Sequence, residues 1–537
     1  MGTLDILIII AYLTIVLAVG FIFSRQQGES GKSQYFLAGR NVGWIAVGAS
    51  IFATNISSEH FIGLAGSGAA HGLAVSHFEW MAVFVLILLG WVFVPIYWRL
   101  GIYTVPEFLE KRYNLASRMY LTGVTIVAYI LTKMSIMLFA GGLVLHTLLG
   151  WDLYTSAVVM IVLTGVYTII GGLSAVIYTQ VIQAIFIIGG ALALSIAGLH
   201  QVGGFSGLKE TLPAGYFTII KPMSDPNFPW TGILFGAPIL AVWYWCADQY
   251  IVQRVLSAKN ISQAQSGTLL AAFLKLLPVL LLVVPGMTAA ALYPEVRGDE
   301  AYASLMTSLA LPFGLRGLVI TGILAALMSS LASVFNSAST LFTIDIFSRF
   351  HPHASERKLV LVGRLGTTMM VITAILWVPL TKLISENIYI YLQSVQAYIS
   401  PPIAAVLLLG VFSRRCSGRG AIISLISGGI IGAFRLILEL ISRRFTLDLP
   451  LLNWFIELNY LHFAVFLFVV STAILVLVSR LEHWSMREDG VGMIIHNGWR
   501  AAGLVSGQFI TGIVIRRNIV LSVFLIMVIL GLWGVLL

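Results

Sequence analysis

The stretch from Val47 to Trp80, VGASIFATNISSEHFIGLAGSGAAHGLAVSHFEW, restricts this chain more than any other. It is apolar enough to cross a bilayer, yet its middle carries Thr54, Asn55, Ser57, Ser58, Glu59 and His60 in one cluster. Facing lipid, each unpaired polar group there costs several kcal/mol. The segment must therefore line a cavity or pack inside protein. Gly63, Gly66, Gly68 and Gly72 follow at once and permit irregular backbone and close helix contact. These features predict a discontinuous helix that builds a polar site near the bilayer midplane.

The rest of the chain supplies the bilayer setting. At 59% hydrophobic and 10% charged, 537 residues carry too little charge to cover a water-facing surface. The chain reads as a polytopic protein of the lipid bilayer, all-α in class. Its net charge of +9 sits between apolar runs and is no sign of nucleic-acid affinity. Two cysteines, Cys246 and Cys416, offer no disulfide framework. With roughly 20 apolar residues per crossing, spans fall near 4–24, 42–72, 77–98, 119–148, 152–171, 175–199, 231–253, 264–293, 314–346, 359–383, 387–412, 420–442, 460–480 and 517–537, about 14 in all. The first run is long and lacks a small-residue cleavage site, so it reads as a retained helix.

Basic residues set the orientation. Arg25, Lys32 and Arg40 follow span one, Arg99, Lys111, Arg112 and Arg118 follow span three, and Arg254 and Lys259 follow span seven. The same side receives Arg349, Arg357, Arg414, Arg415, Arg419, Arg487, Arg500, Arg516 and Arg517 if spans alternate. That face is expected to be cytoplasmic, with both termini outside and the chain in the plasma membrane. Arg443 and Arg444 fit this scheme poorly. The connections 200–230 and 481–516 are long enough to hold short surface helices. Two later segments are places to look for counterparts of the first break: 238–254, PILAVWYWCADQYIVQR, and 323–347, ILAALMSSLASVFNSASTLFTIDIF.

Ionisable groups inside spans are functional candidates by default. Glu79, in HFEW, is either an acceptor for a polar solute or a buried carboxylate bonded to neighbouring helices. Its place in a short hairpin with the polar break favours the first. Lys275, in AAFLKLLP, has no partner in its own span and lies too deep to snorkel. Lys133, in LTKMS, reads as a structural pairing. His60 is a proton carrier, a ligand donor or a satisfied core histidine. Hydroxyls of the run Ser329, Ser330 and Ser333, with carbonyls freed at a helix break, suit sodium; back-bonding to their own helix is the alternative. No metalloprotease, phosphate-loop or nucleophile-elbow motif is present. Energy, if used, is expected to come from an ion gradient, and no enzymatic activity is expected.

Seven motifs carry a resemblance. NISSEHFIGLAGSG (55–68), HFEW (77–80), GIYTVPEFLEKRY (101–113), GGLSAVIYTQVIQ (171–183), WYWCADQYIVQRVLSAKN (243–260), MSSLASVFNSASTLFTIDIF (328–347) and YLQSVQAYISPPIAAV (391–406) resemble the sodium/solute symporter family, and within it the sodium–glucose cotransporter branch. The resemblance implies a LeuT-type core of two inverted five-helix repeats, 42–230 and 231–412, after a first helix and link (1–41) and before peripheral helices (413–537). It implies alternating access with sodium and a glucose- or galactose-like sugar as cargo. Myo-inositol or sialic acid carriage, or a sugar-gated sensor on the same scaffold, are the alternatives. Carried over position by position, sodium is expected at the carbonyls of Ala53, Ile56 and Ala326 and the hydroxyls of Ser329 and Ser330. Sugar is expected at Asn55, His60, Glu79, Tyr244, Trp245, Lys275 and Gln393, with Leu64, Phe78 and Tyr389 as an outer gate.

Two positions depart from the family's pattern. Ala241 stands where the branch places a polar sugar contact. Gln180 stands where the family usually has Asp, a carboxylate associated with a second sodium. A neutral amide cannot supply that charge, so one sodium per sugar is expected.

Overall fold

Helix formation fails first at the polar cluster. Trp44–Asn55 is an α-helix that stops at Ile56, whose angles are extended (φ −75°, ψ 105°). Serines here compete for backbone partners: Ser58 Oγ donates across to Met137 O (3.0 Å) rather than to its own helix. Helix resumes in a π-helical turn, His60–Leu64, and continues through Ala65–His71. Gly72, in the left-handed region at φ 67°, then turns the chain into Ser76–Leu88. This computed structural model describes residues 2–25, 31–138, 141–142, 150, 152–296, 298–309, 311–379, 388–442, 450–482 and 512–536. Among them every regular element is a helix.

The expected counterpart 238–254 is broken in the same way. A π-helical turn, Trp243–Ala247, leads to Asp248 in extended geometry (φ −72°, ψ 119°), and Gln249–Leu256 follows. Asp248 is the focus of this second break. It accepts from Tyr250 N–H (3.2 Å), from Tyr129 Oη and from Lys133 Nζ (2.6 Å). Lys133 therefore has the structural pairing its position suggested. The other candidate, 323–347, is not broken: Leu315–Leu341 is one uninterrupted helix, followed by the π-helical turn Phe342–Phe347. It is almost wholly buried, packed chiefly against Leu153–Val202, and beside the first break.

Twelve helices among the described residues are long and apolar enough to cross a membrane. The difference from the expected fourteen has two sources. Leu153–Val202 contains both expected spans 152–171 and 175–199, which Gly172 divides with non-helical angles (φ 52°, ψ −151°). His60–Arg99 likewise joins half of the broken helix to the third expected span. The first helix, Thr3–Arg25, and the last, Gly512–Leu536, are the least buried and lie at the periphery. The connection 200–230 does carry a short helix, Gly204–Thr211. Arg297, Arg443, Arg444, Arg487, Arg500 and most of 481–516 lie outside the described residues.

Glycine lets the broken helix approach Val284–Leu292 backbone to backbone. A Cβ on Gly68 would stand 2.7 Å from Val283 O, and one on Gly286 would run into Ala65 O. Gly286→Val is therefore expected to destabilise the protein by about 1–3 kcal/mol or more through overpacking. A lowered thermal midpoint in detergent checks this. Gly189→Ala, where a Cβ meets nothing within 4 Å, should leave the midpoint unchanged.

Candidate substrate and sodium sites

The two breaks, the Ser76–Leu88 helix, Lys275 and the Ile388–Phe412 helix converge on one cavity of ≈ 60 Å³. That is room for on the order of five waters. All seven residues expected to hold sugar border it. Their polar ends meet one another. Asn55 Nδ2 donates to Tyr244 Oη (3.0 Å), while Asn55 Oδ1 accepts from Lys275 Nζ (2.7 Å). Lys275 also pairs with Glu79, and both side chains are almost fully buried. His60 Nε2 lies 3.7 Å from Glu79 Oε1. Tyr244 stands edge-on to Trp245 (5.0 Å), and Lys275 Nζ lies 5.7 Å from the Trp245 ring centre. Beneath, on the far side of Tyr244, Lys133 Nζ lies 4.7 Å from its ring centre.

Two of the three expected gate residues also border the cavity: Phe78 and Tyr389, ring centres 6.0 Å apart. Leu64 does not; it is fully buried in the broken helix. Phe228, in the connection 200–230, lies 6.2 Å from Phe78, ring centre to ring centre. Its loop is strapped down by Tyr216 Oη donating to Ala69 O (2.8 Å) and by His77 Nε2 donating to Ile219 O (2.9 Å). Gln396 and Glu59 border the cavity as well and were not among the expected sugar residues. Gln396 had a readable signal, since it lies one helical turn beyond Gln393 on the same face. Ala241 borders the cavity without a polar group.

Next to this cavity, the expected sodium ligands gather at the first break. Ser329 Oγ donates to Ala53 O (2.6 Å) and to Ala326 O (2.9 Å). Ser330 Oγ donates to Thr54 O (3.0 Å), two residues before Ile56. All of these groups are buried oxygens, the donor type that a small hard cation prefers. Gln180 sits against the same serine run. Its Oε1 accepts from Ser50 Oγ (2.5 Å), and its Nε2 donates to Ser329 O (2.9 Å) and Ser333 Oγ (2.7 Å). Arg254, fully buried, donates from Nη2 to Ser333 Oγ (2.6 Å).

Comparison with known proteins gives this arrangement its family. Residues 35–428 match the model of the sodium:solute symporter family. The chain is 41% identical over 521 residues to the sodium/glucose cotransporter 4 of Mus musculus, covering 89% of this chain and 75% of the relative. It is also 41% identical over 529 residues to the sodium/myo-inositol cotransporter of Homo sapiens, covering 90% and 74%. In fold it matches a Na+-coupled sialic acid symporter solved in a substrate-bound outward-open state, with TM-score 0.76 and 24% identity over 89% of this chain and 98% of the other. The fold is thus LeuT-type. The chain belongs to the sodium:solute symporter family and is a multi-pass, sodium-coupled solute symporter of the membrane.

Proposed function

We propose that the chain imports a glucose- or galactose-like monosaccharide with one sodium per sugar, by alternating access, across the plasma membrane with both termini outside. The observation that carries this reading is the self-paired ring of Asn55, Tyr244, Lys275 and Glu79 around the cavity. Each sugar hydroxyl is both donor and acceptor, so a bound sugar can replace every one of those bonds without leaving a buried group unpaired. Tyr244 adds an aromatic surface for the C–H face of the ring. Gln393 and Gln396 add donors and acceptors from the facing helix.

Sodium as cargo would be held by the carbonyls of Ala53, Ile56 and Ala326 with Ser329 Oγ and Ser330 Oγ, the two hydroxyls turning their protons away. The residues fit it: the set is all oxygen, with Ala53 and Ile56 at the break and Ala326, Ser329 and Ser330 on the helix beside it. The ion would tie the broken helix to the unbroken Leu315–Leu341 helix, and so favour the arrangement in which the sugar groups face one cavity. Two observations support a single ion. Gln180 presents an N–H2 to Ser329 O and Ser333 Oγ, where a cation would need lone pairs, and the Arg254 guanidinium already brings positive charge to Ser333.

The repeat boundaries are proposed at 42–230 and 231–412, supported by near-equal backbone angles at Ile56 and Asp248. Myo-inositol is the second reading. Relatives named for it match this chain as well as those named for glucose, and it offers the same ring of hydroxyls without charge. Uptake of labelled glucose, galactose and myo-inositol into voltage-clamped proteoliposomes tests both. Hexose uptake is expected in sodium and not in choline, with one charge entering per sugar. Equal uptake in choline would defeat the coupling, preference for myo-inositol would replace the sugar, and two charges per sugar would refute the stoichiometry.

A further inference from the structure

We propose that Glu59 gives the cavity a second anionic contact, one with no lysine or arginine paired to it, so that the carrier prefers protonated amino sugars to neutral sugars and rejects acidic ones. The inference deepens the monosaccharide reading and rests on it.

The argument is one of charge and partners. The cavity is bordered by two carboxylates, Glu59 and Glu79, and by one ammonium, Lys275. Lys275 is committed to Glu79 and Asn55. Glu59 is 5% exposed, and its Oε2 has no hydrogen-bond partner among the described residues. The Ser57 side chain meets the other end of the carboxylate, and Oε1 lies 3.8 Å from His60 Nδ1, beyond hydrogen-bond reach. That nitrogen faces Ser57 instead, whose N–H and Oγ lie 3.5 and 3.4 Å away. Lys133, the other nearby cation, is bonded to Asp248 (2.6 Å) and lies 3.7 Å from the Tyr250 ring centre. Among the described residues Lys275 is paired with Glu79 and Lys133 with Asp248, and neither lysine is left for Glu59.

A buried carboxylate oxygen without a donor is costly, and a ligand that brings an N–H or O–H to it relieves that cost. Sodium at the first break adds positive charge to the region but donates no hydrogen bond, so Oε2 still requires an N–H or O–H. A sugar hydroxyl supplies a neutral one. The ammonium of a 2-amino-2-deoxyhexose supplies a charge-assisted one of about twice the strength, and a uronate brings a second negative charge beside the first.

Inhibition of labelled-glucose uptake by glucosamine, glucose and glucuronate, at saturating sodium, tests this in wild type, Glu59→Gln and Glu59→Asp. In wild type, glucosamine should have an inhibition constant about tenfold below that of glucose, and glucuronate the highest of the three. In Glu59→Gln the advantage of glucosamine over glucose should disappear, and Glu59→Asp should keep it. In wild type, raising the pH until the amine is neutral should weaken glucosamine and not glucose, a readout that holds even if a variant fails to fold. Sodium-driven glucose uptake with no amine advantage, or with an advantage unchanged in Glu59→Gln, overturns the inference alone. No glucose uptake by the wild type overturns it together with the monosaccharide reading.

Discussion

Lys275→Ala is expected to abolish uptake and to lower stability, and a paired substitution separates the two effects. Lys275 and Glu79 are 1% and 3% exposed at their side chains and 196 residues apart in sequence. Removing one partner of such a pair leaves an uncompensated buried charge, at a cost of about 3–5 kcal/mol. The single variant should therefore show a large drop in thermal midpoint as well as lost transport. Replacing both, Lys275→Met with Glu79→Leu, removes the stranded charge and should recover much of the midpoint. Transport should stay depressed by about a hundredfold or more, since two charged hydrogen-bonding groups are lost to the solute. Tracer uptake read beside a melting curve decides the matter. A double variant that transports at the wild-type rate would show that the pair holds the fold and nothing else.

Ser329→Ala should act on the ion rather than the solute. The substitution removes one of five proposed oxygen ligands and leaves Ala53 O and Ala326 O without their present donor. The sodium concentration for half-maximal uptake should rise by roughly tenfold. Because coupling between two ligands is reciprocal, the half-saturating sugar concentration should be near normal at saturating sodium and rise as sodium falls. Sodium titrations at fixed sugar, and sugar titrations at fixed sodium, give the two curves. An unchanged sodium curve would mean that the ion binds elsewhere.

The place of the first break was legible because Asn55, Ser57, Ser58, Glu59 and His60 cannot share one lipid-facing turn, whatever surrounds them. The second break was legible only as a place to look. Asp248 reads as an intramembrane acid, but its three donors come from Tyr129, Lys133 and Tyr250, two of them more than a hundred residues away. The run 323–347 looked as breakable as 238–254, yet the helix runs unbroken to Leu341 and passes into a π-helical turn. Ser333 Oγ donates one turn back to Ser329 O (2.8 Å), while Ser330, Ser337 and Ser339 donate to neighbouring helices, so density of hydroxyls alone does not unwind a span. Pairings such as Lys275 with Glu79, and the lack of one at Glu59, depend on where distant helices meet, which no local pattern encodes. Leu64, placed at a gate by its motif, is fully buried and does not border the cavity.

The two breaks are alike in backbone and unlike in what holds their loose ends. At the second, Cys246 O accepts from Tyr97 Oη (2.7 Å), and Asp248 is locked to Lys133. At the first, the carbonyls of Ala53 and Thr54 are met by the hydroxyls of Ser329, Ser330 and Tyr250. A hydroxyl can rotate in place from giving its proton to offering a lone pair, so an ion at the proposed site would find its ligands by rotation of side chains already in place. When it leaves, no carbonyl is stranded, because the same hydroxyls turn back. A cotransporter must complete half of every cycle without cargo, and that return stroke is slow if the vacated site is strained. At the proposed site the serine rotors would make departure as well tolerated as arrival, a property that bears on turnover as well as affinity.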